Sequence, residues 1–130
     1  MNSLVTHDIK VSVAVTFLDE ESNPQEHHFL WGYQIWIENL GQSTIQLLSR
    51  HWCITDQIGI TQEVRGKGVV GVQPVIDKGE SYTYTSGVPL TTPSGIMAGE
   101  YTVQDEYGDL FEIIVPPFSL DSPYETRLLN

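Results

Sequence analysis

Cysteine occurs once in this chain, as Cys53, which excludes an intramolecular disulfide. A fold without staples must be held by its core, and it suits a reducing compartment. Basic residues are scarce: six lysines and arginines stand against 17 aspartates and glutamates, a net charge of -11. That imbalance repels phosphate backbones and anionic lipid, which argues against nucleic-acid and membrane partners and otherwise serves solubility. No apolar run approaches bilayer length, and Met1–Asp8 lacks the basic start and apolar stretch of an export signal. A cytoplasmic protein is therefore expected. Helical periodicity over ten or more residues is also missing.

The 130 residues, 40% of them hydrophobic, suit a single domain with one core. A short flexible N-terminus and a flexible tail from about residue 121 are expected at its ends. Ile9–Phe17 carries large apolar residues at odd positions, the period of two of a half-buried strand. Phe29, Trp31, Tyr33, Ile35 and Ile37 repeat it after the turn-rich stretch 19–24, which makes an antiparallel pair. Further strands are expected over 45–55, 60–64, 81–86, 100–105 and 110–115, the last two joined by a hairpin at 106–109. About seven short strands predict an all-β, two-sheet antiparallel sandwich of the immunoglobulin or fibronectin type III kind. Tyr101, just after Gly99, is placed either as a tyrosine corner bonding upstream backbone or as an ordinary strand tyrosine.

The most conspicuous motif is Gly66-Lys67-Gly68-Val69-Val70-Gly71, a GxGxxG pattern. A dinucleotide fingerprint needs a helix after it to hold the pyrophosphate, whereas Val72-Gln73-Pro74-Val75 follows here. The glycines are read first as permitting positive φ or close backbone approach in a long loop. A second reading is a small-anion site for phosphate or pyrophosphate, built on Arg65, Gly66, Lys67, Gly68 and Gly71.

Other constellations carry less. His51 and Cys53 share one face of a strand, but no third group in the sequence orients them, and a buried small thiol beside a polar edge explains Cys53. His27 and His28 point to opposite faces of an extended segment, and the acidic stretches at 19–21 and 105–109 coincide with turns. No metal, cofactor or catalytic residue is expected. Arg50 alternates with Leu48, Trp52 and Ile54 and needs compensation: a carboxylate, stacking on Trp52, or a bulge that turns it outward. Trp36, opposite in phase to Trp31 and Tyr33, is the aromatic expected to be exposed. Trp36 and Arg50 are accordingly the candidate surface residues.

Taken together, Arg50-His51-Trp52-Cys53-Ile54-Thr55-Asp56, the stretch Glu63–Pro74, Tyr84-Thr85-Ser86-Gly87 and Gly95–Tyr101 resemble the ApaG family. The resemblance runs from the first strand to about Leu120, with Cys53 as a variation inside its stretch. It implies a fibronectin type III-like sandwich in a bacterial cytoplasmic protein, with the glycine motif in an inter-strand loop. The family, also called CorD, has no settled activity. Its genes neighbour those of a diadenosine tetraphosphatase and a ribosomal RNA methyltransferase, and it is linked to cobalt resistance and magnesium efflux. Related domains lie in F-box and polymerase delta-interacting proteins, where protein binding is inferred. The expectation is a non-enzymatic interaction module, a monomer or a weak homodimer through a sheet edge. Its partner would be another protein, reached through that edge, an exposed aromatic surface or the loop 64–75, with a small anion as the alternative ligand.

Overall fold

The computed structural model describes residues 1–124. Nine strands follow one another: β1 (Asn2–Thr6), β2 (Ile9–Phe17), β3 (Phe29–Asn39), β4 (Ile45–Asp56), β5 (Thr61–Lys67), β6 (Val75–Ile76), β7 (Ser81–Leu90), β8 (Gly95–Asp105) and β9 (Leu110–Leu120). One sheet runs β1-β2-β3-β7 and the other β5-β4-β8-β9, with β6 pairing β4, and every pairing is antiparallel. The expected antiparallel sandwich is present, with nine strands instead of seven.

The core follows from the period of two. Along β3 the odd residues from Phe29 to Asn39 are all buried and the even ones half-buried, so one face meets the opposite sheet. Trp31, Ile35 and Ile37 from this face meet a layer that includes Leu47, Tyr101 and Ile113, all almost wholly removed from water. Each such side chain contributes roughly 1.5–3 kcal/mol of burial. Asn39, the buried polar residue ending β3, donates through Nδ2 to the Ser43 and Ile76 carbonyls and accepts from Gly41 N–H. Burial therefore leaves it no unmet hydrogen bond.

Several expectations are corrected. The N-terminal residues form a strand: β1 pairs with β2 from Asn2↔Val13 to Thr6↔Ile9, around a two-residue turn at His7 and Asp8 with φ of 50° and 63°. Two positive φ values define the primed turn that matches strand twist, here formed without the glycine that would have signalled it. In the expected tail, residues 125–130 lie outside the described residues, and 121–124 are tied down. Trp31 Nε1 donates to the Asp121 carbonyl at 2.7 Å, and Ser122 Oγ to the Pro93 carbonyl at 2.6 Å. No tyrosine corner forms, because the Tyr101 hydroxyl is paired with the Tyr84 hydroxyl.

Strand β8 starts earlier than expected and runs through Gly99. A Cβ there would lie 2.5 Å from both the His51 carbonyl oxygen and the Trp52 ring. Glycine in mid-strand thus gives Trp52 its seat in the core, opposite it in register.

Candidate functional site

A bulge in β4 sets the functional face. The register against β8 slips between Leu47 and Ser49, so odd residues face the core before it and even residues after it. Trp52 and Ile54 are consequently buried, and Ser49, His51 and Cys53 point to the outer face of the second sheet. Register then builds rows across that face: Lys67, Ser49, Thr102 and Glu112; Arg65, His51 and Glu100; Glu63, Cys53 and Ala98. The first two rows border a concavity of about 410 Å³ that also reaches Arg50.

His51 is the hub of this face. Its Nδ1 lies 2.6 Å from Glu100 Oε1 and its Nε2 2.9 Å from Glu63 Oε1, and Cys53 Sγ is 3.9 Å from both that nitrogen and the Glu63 oxygen. The hydrogen bond to Glu100, followed by that to Glu63, raises the imidazole pKa above its ordinary value. Reciprocally, the hydrogen bond from His51 and the nearby Arg65 charge hold the Glu63 carboxyl below the usual range. Sequence reading saw His51 and Cys53 but no orienting group; Glu100 supplies it from β8, 49 residues away. Glu63 was legible in principle, since a β4–β5 turn around 57–59 places it opposite Cys53.

Arg50 lies on the inward phase with Trp52 and, among the described residues, is compensated by neither a carboxylate, a Trp52 stack nor an outward turn. Its Nη1 donates to the Gly68 carbonyl at 3.0 Å and to the Lys67 carbonyl at 3.3 Å. Gly66, directly opposite in register, makes room: a Cβ there would meet the guanidinium at 2.6 Å. Arg65, Gly66 and Lys67 belong to β5 and not to a loop, with Arg65 and Lys67 exposed on the outer face.

The remaining glycines turn the chain. Gly68 has φ of 66°, and Val69 and Val72 exchange N–H···O bonds of 2.8 and 3.0 Å around Val70 and Gly71, whose φ values are 45° and 80°. This is a tight hairpin turn in which the N–H groups of Gly68 and Val69 are already bonded, to Leu48 and Val72. Trp36, expected as the exposed aromatic, is only half-buried on the outer face of the first sheet, between Ser12 and Thr83. Tyr107, in the β8–β9 turn, is exposed instead at 77%, as is Tyr124 at 43%. The β8–β9 turn is held by Asp105 Oδ1, which accepts from the N–H groups of Tyr107 and Asp109, so the Asp105 carboxylate serves the backbone.

These features define a small antiparallel sandwich domain in which β5 is one of the edge strands, with a polar outer face organised around a histidine. The model of the ApaG domain matches residues 19–105. Protein ApaG of Paramagnetospirillum magneticum is 55% identical and that of Mesorhizobium japonicum 51% identical, each over 130 residues covering the whole of both chains. The chain belongs to the ApaG family. A crystal structure of a Bordetella pertussis protein designated ApaA, 44% identical, superimposes with a TM-score of 0.86 over 90% of this chain and 95% of that one. A protein from Archaeoglobus fulgidus, 11% identical, shares the fold with a TM-score of 0.54 over 91% of this chain and 98% of that one. Among the described residues no helix is long and apolar enough to cross a membrane.

Proposed function

We propose that the chain is a non-enzymatic binding module that takes an extended segment of another protein as an added strand along β5. The open edge of β5 carries this reading. Among the described residues β5 has β4 on one side and no strand on the other. Gly68 N–H bonds the Leu48 carbonyl and Asp56 N–H the Ile60 carbonyl, so the even-numbered residues of β5 are those bonded to β4. Alternation turns the N–H and C=O groups of Thr61, Glu63 and Arg65 outward, a template for main-chain pairing, while the Lys67 carbonyl beyond them is taken by Arg50. Exposed apolar side chains flank it, Ile58 and Ile60 on one side and Val70, Val72 and Val75 on the other. The alternating charges of Glu63 and Arg65 discourage indiscriminate pairing and select a partner strand of matching pattern.

Proline substitution tests this reading. Arg65→Pro removes one outward N–H without touching the ladder to β4, and an edge strand tolerates proline there. Arg65→Ala removes only the charge. A partner captured by the wild type is expected to survive Arg65→Ala and to be lost with Arg65→Pro; retention by the proline variant refutes strand addition. Sedimentation of the purified chain tells whether a second copy takes the same edge.

A second reading, a small-anion site, is supported by the outer-face concavity that Arg65, Lys67 and His51 line together with Glu100 and Glu112. Cationic side chains would carry it and not a nest of glycine amides, because the Gly68 and Val69 N–H groups are already bonded. Amide NMR shifts on pyrophosphate addition, lost in Lys67→Ala, support it; silence at residues 65–71 removes it.

A further inference from the structure

We infer that His51, Cys53 and Glu63 form a binding site for a transition-metal dication of the zinc type, with Glu100 as the group that orients His51. One nitrogen, one sulfur and one carboxylate oxygen lie within 4.8 Å of one another. A tetrahedral zinc with ordinary bond lengths sets its nitrogen and oxygen ligands about 3.3 Å apart and each about 3.6 Å from sulfur. The corresponding separations here are 2.9 Å for Nε2 to Oε1 and 3.9 Å from each to Sγ. Every pair is thus within about 0.5 Å of the metal's requirement. Glu63 is exposed, so its side-chain torsions can supply that movement without disturbing a strand.

Three further observations support the assignment. The donors sit on paired strands, where register holds Cys53 opposite Glu63 and His51 opposite Glu100. Nδ1 of His51 is engaged by Glu100 at 2.6 Å, which leaves Nε2 as the metal-facing nitrogen, the carboxylate–histidine–metal arrangement of bound zinc. A thiolate and a carboxylate offset the charge of the dication, and the mixed sulfur, nitrogen and oxygen set selects zinc over magnesium or calcium, which take oxygen ligands. Arg65, 3.6 Å from Glu63, is the cation that competes for the same carboxylate. Three protein donors leave a fourth position to solvent.

The test uses the full chain, reduced and metal-free, with zinc chloride as the probe. Calorimetry is expected to give one equivalent of binding, and zinc is expected to slow iodoacetamide alkylation of Cys53, the chain's one thiol, at least tenfold; magnesium does neither. Cys53→Ala and Glu63→Gln, whose fold is checked by thermal melting, each abolish the zinc isotherm. Glu100→Gln weakens it about tenfold, as loss of a ligand's orienting carboxylate does. Unchanged alkylation at saturating zinc overturns the site. So does an isotherm that persists in either Cys53→Ala or Glu63→Gln, which would place the ion elsewhere, for instance at His27 and His28.

Discussion

Replacing Gly66 by alanine should reverse its effect on stability according to what stands at position 50. Gly66 lies in β5 without a positive φ, so its backbone does not demand glycine. Its added Cβ would instead strike the Arg50 guanidinium at 2.6 Å. The guanidinium can swing away, but only by releasing the Gly68 and Lys67 carbonyls it bonds at 3.0 and 3.3 Å. Two such charge-assisted bonds, the longer of them exposed, stabilise by about 2 kcal/mol together. Alanine returns about 0.7 kcal/mol by reducing the freedom of the unfolded chain. Gly66→Ala should therefore cost about 1.3 kcal/mol, or about 5 °C in Tm for a chain of this size. In an Arg50→Ala background the obstacle is gone, and the same change should stabilise by about 0.7 kcal/mol. The coupling of about 2 kcal/mol is read from urea midpoints of the four proteins of the cycle. Equal destabilisation in both backgrounds would refute the reasoning, because it would mean that Gly66 serves the backbone and not Arg50.

Gly99→Ala should be worse than Gly66→Ala, about 3 kcal/mol or failure to fold, because its Cβ meets a backbone carbonyl and a packed indole that cannot swing aside; thermal melting decides. Val70→Asn should stabilise by about 1 kcal/mol, since a β-branched residue at φ 45° is strained and Asn-Gly suits the primed turn at 70–71; an unchanged urea midpoint would contradict this. Tyr101→Phe should cost about 1–2 kcal/mol by leaving the buried Tyr84 hydroxyl without its partner, and the double change to phenylalanine should cost less than the two single changes summed. Burial raises the pKa of both Tyr84 and Tyr101, so the native state keeps protons that the unfolded chain loses above about pH 10. Their contribution is whole below that pH and is lost as pH rises, so urea midpoints should fall with increasing alkalinity, less steeply in the double phenylalanine variant.

Period-two alternation made the sheets legible, because burial of one face is written into every second residue of β2 and β3. What it hid were the places where the phase changes or a signal residue is missing. The bulge beside Leu48 reverses the phase of β4, and the sequence shows it only as an arginine among core residues. The β1–β2 turn uses His7 and Asp8 where glycine or asparagine would have announced it. The GxGxxG motif is divided by the structure: Gly68 and Gly71 supply positive φ, whereas Gly66 gives way to a side chain on the neighbouring strand. A glycine marks itself in a sequence, but the group that needs its space is set by register. The same holds at the site, where His51 and Cys53 form an incomplete pair until Glu63 and Glu100 are brought beside them from two other strands.

Strand addition and metal binding meet at Glu63 without competing for the same atoms. Its carboxylate projects from the outer face beside His51 and Cys53, while its main-chain N–H and C=O lie in the plane of the sheet and face the open edge. Glu63→Gln therefore removes a metal donor and keeps the strand template, and Arg65→Pro removes part of the template and keeps all three donors. If fixing the Glu63 side chain also stiffens β5 for an incoming strand, linkage requires the converse: whatever factor zinc adds to partner affinity, the partner must add to zinc affinity. Zinc isotherms recorded with and without a bound partner strand therefore measure whether face and edge act as one site or as two. Equal isotherms would make them independent, even though they share a residue.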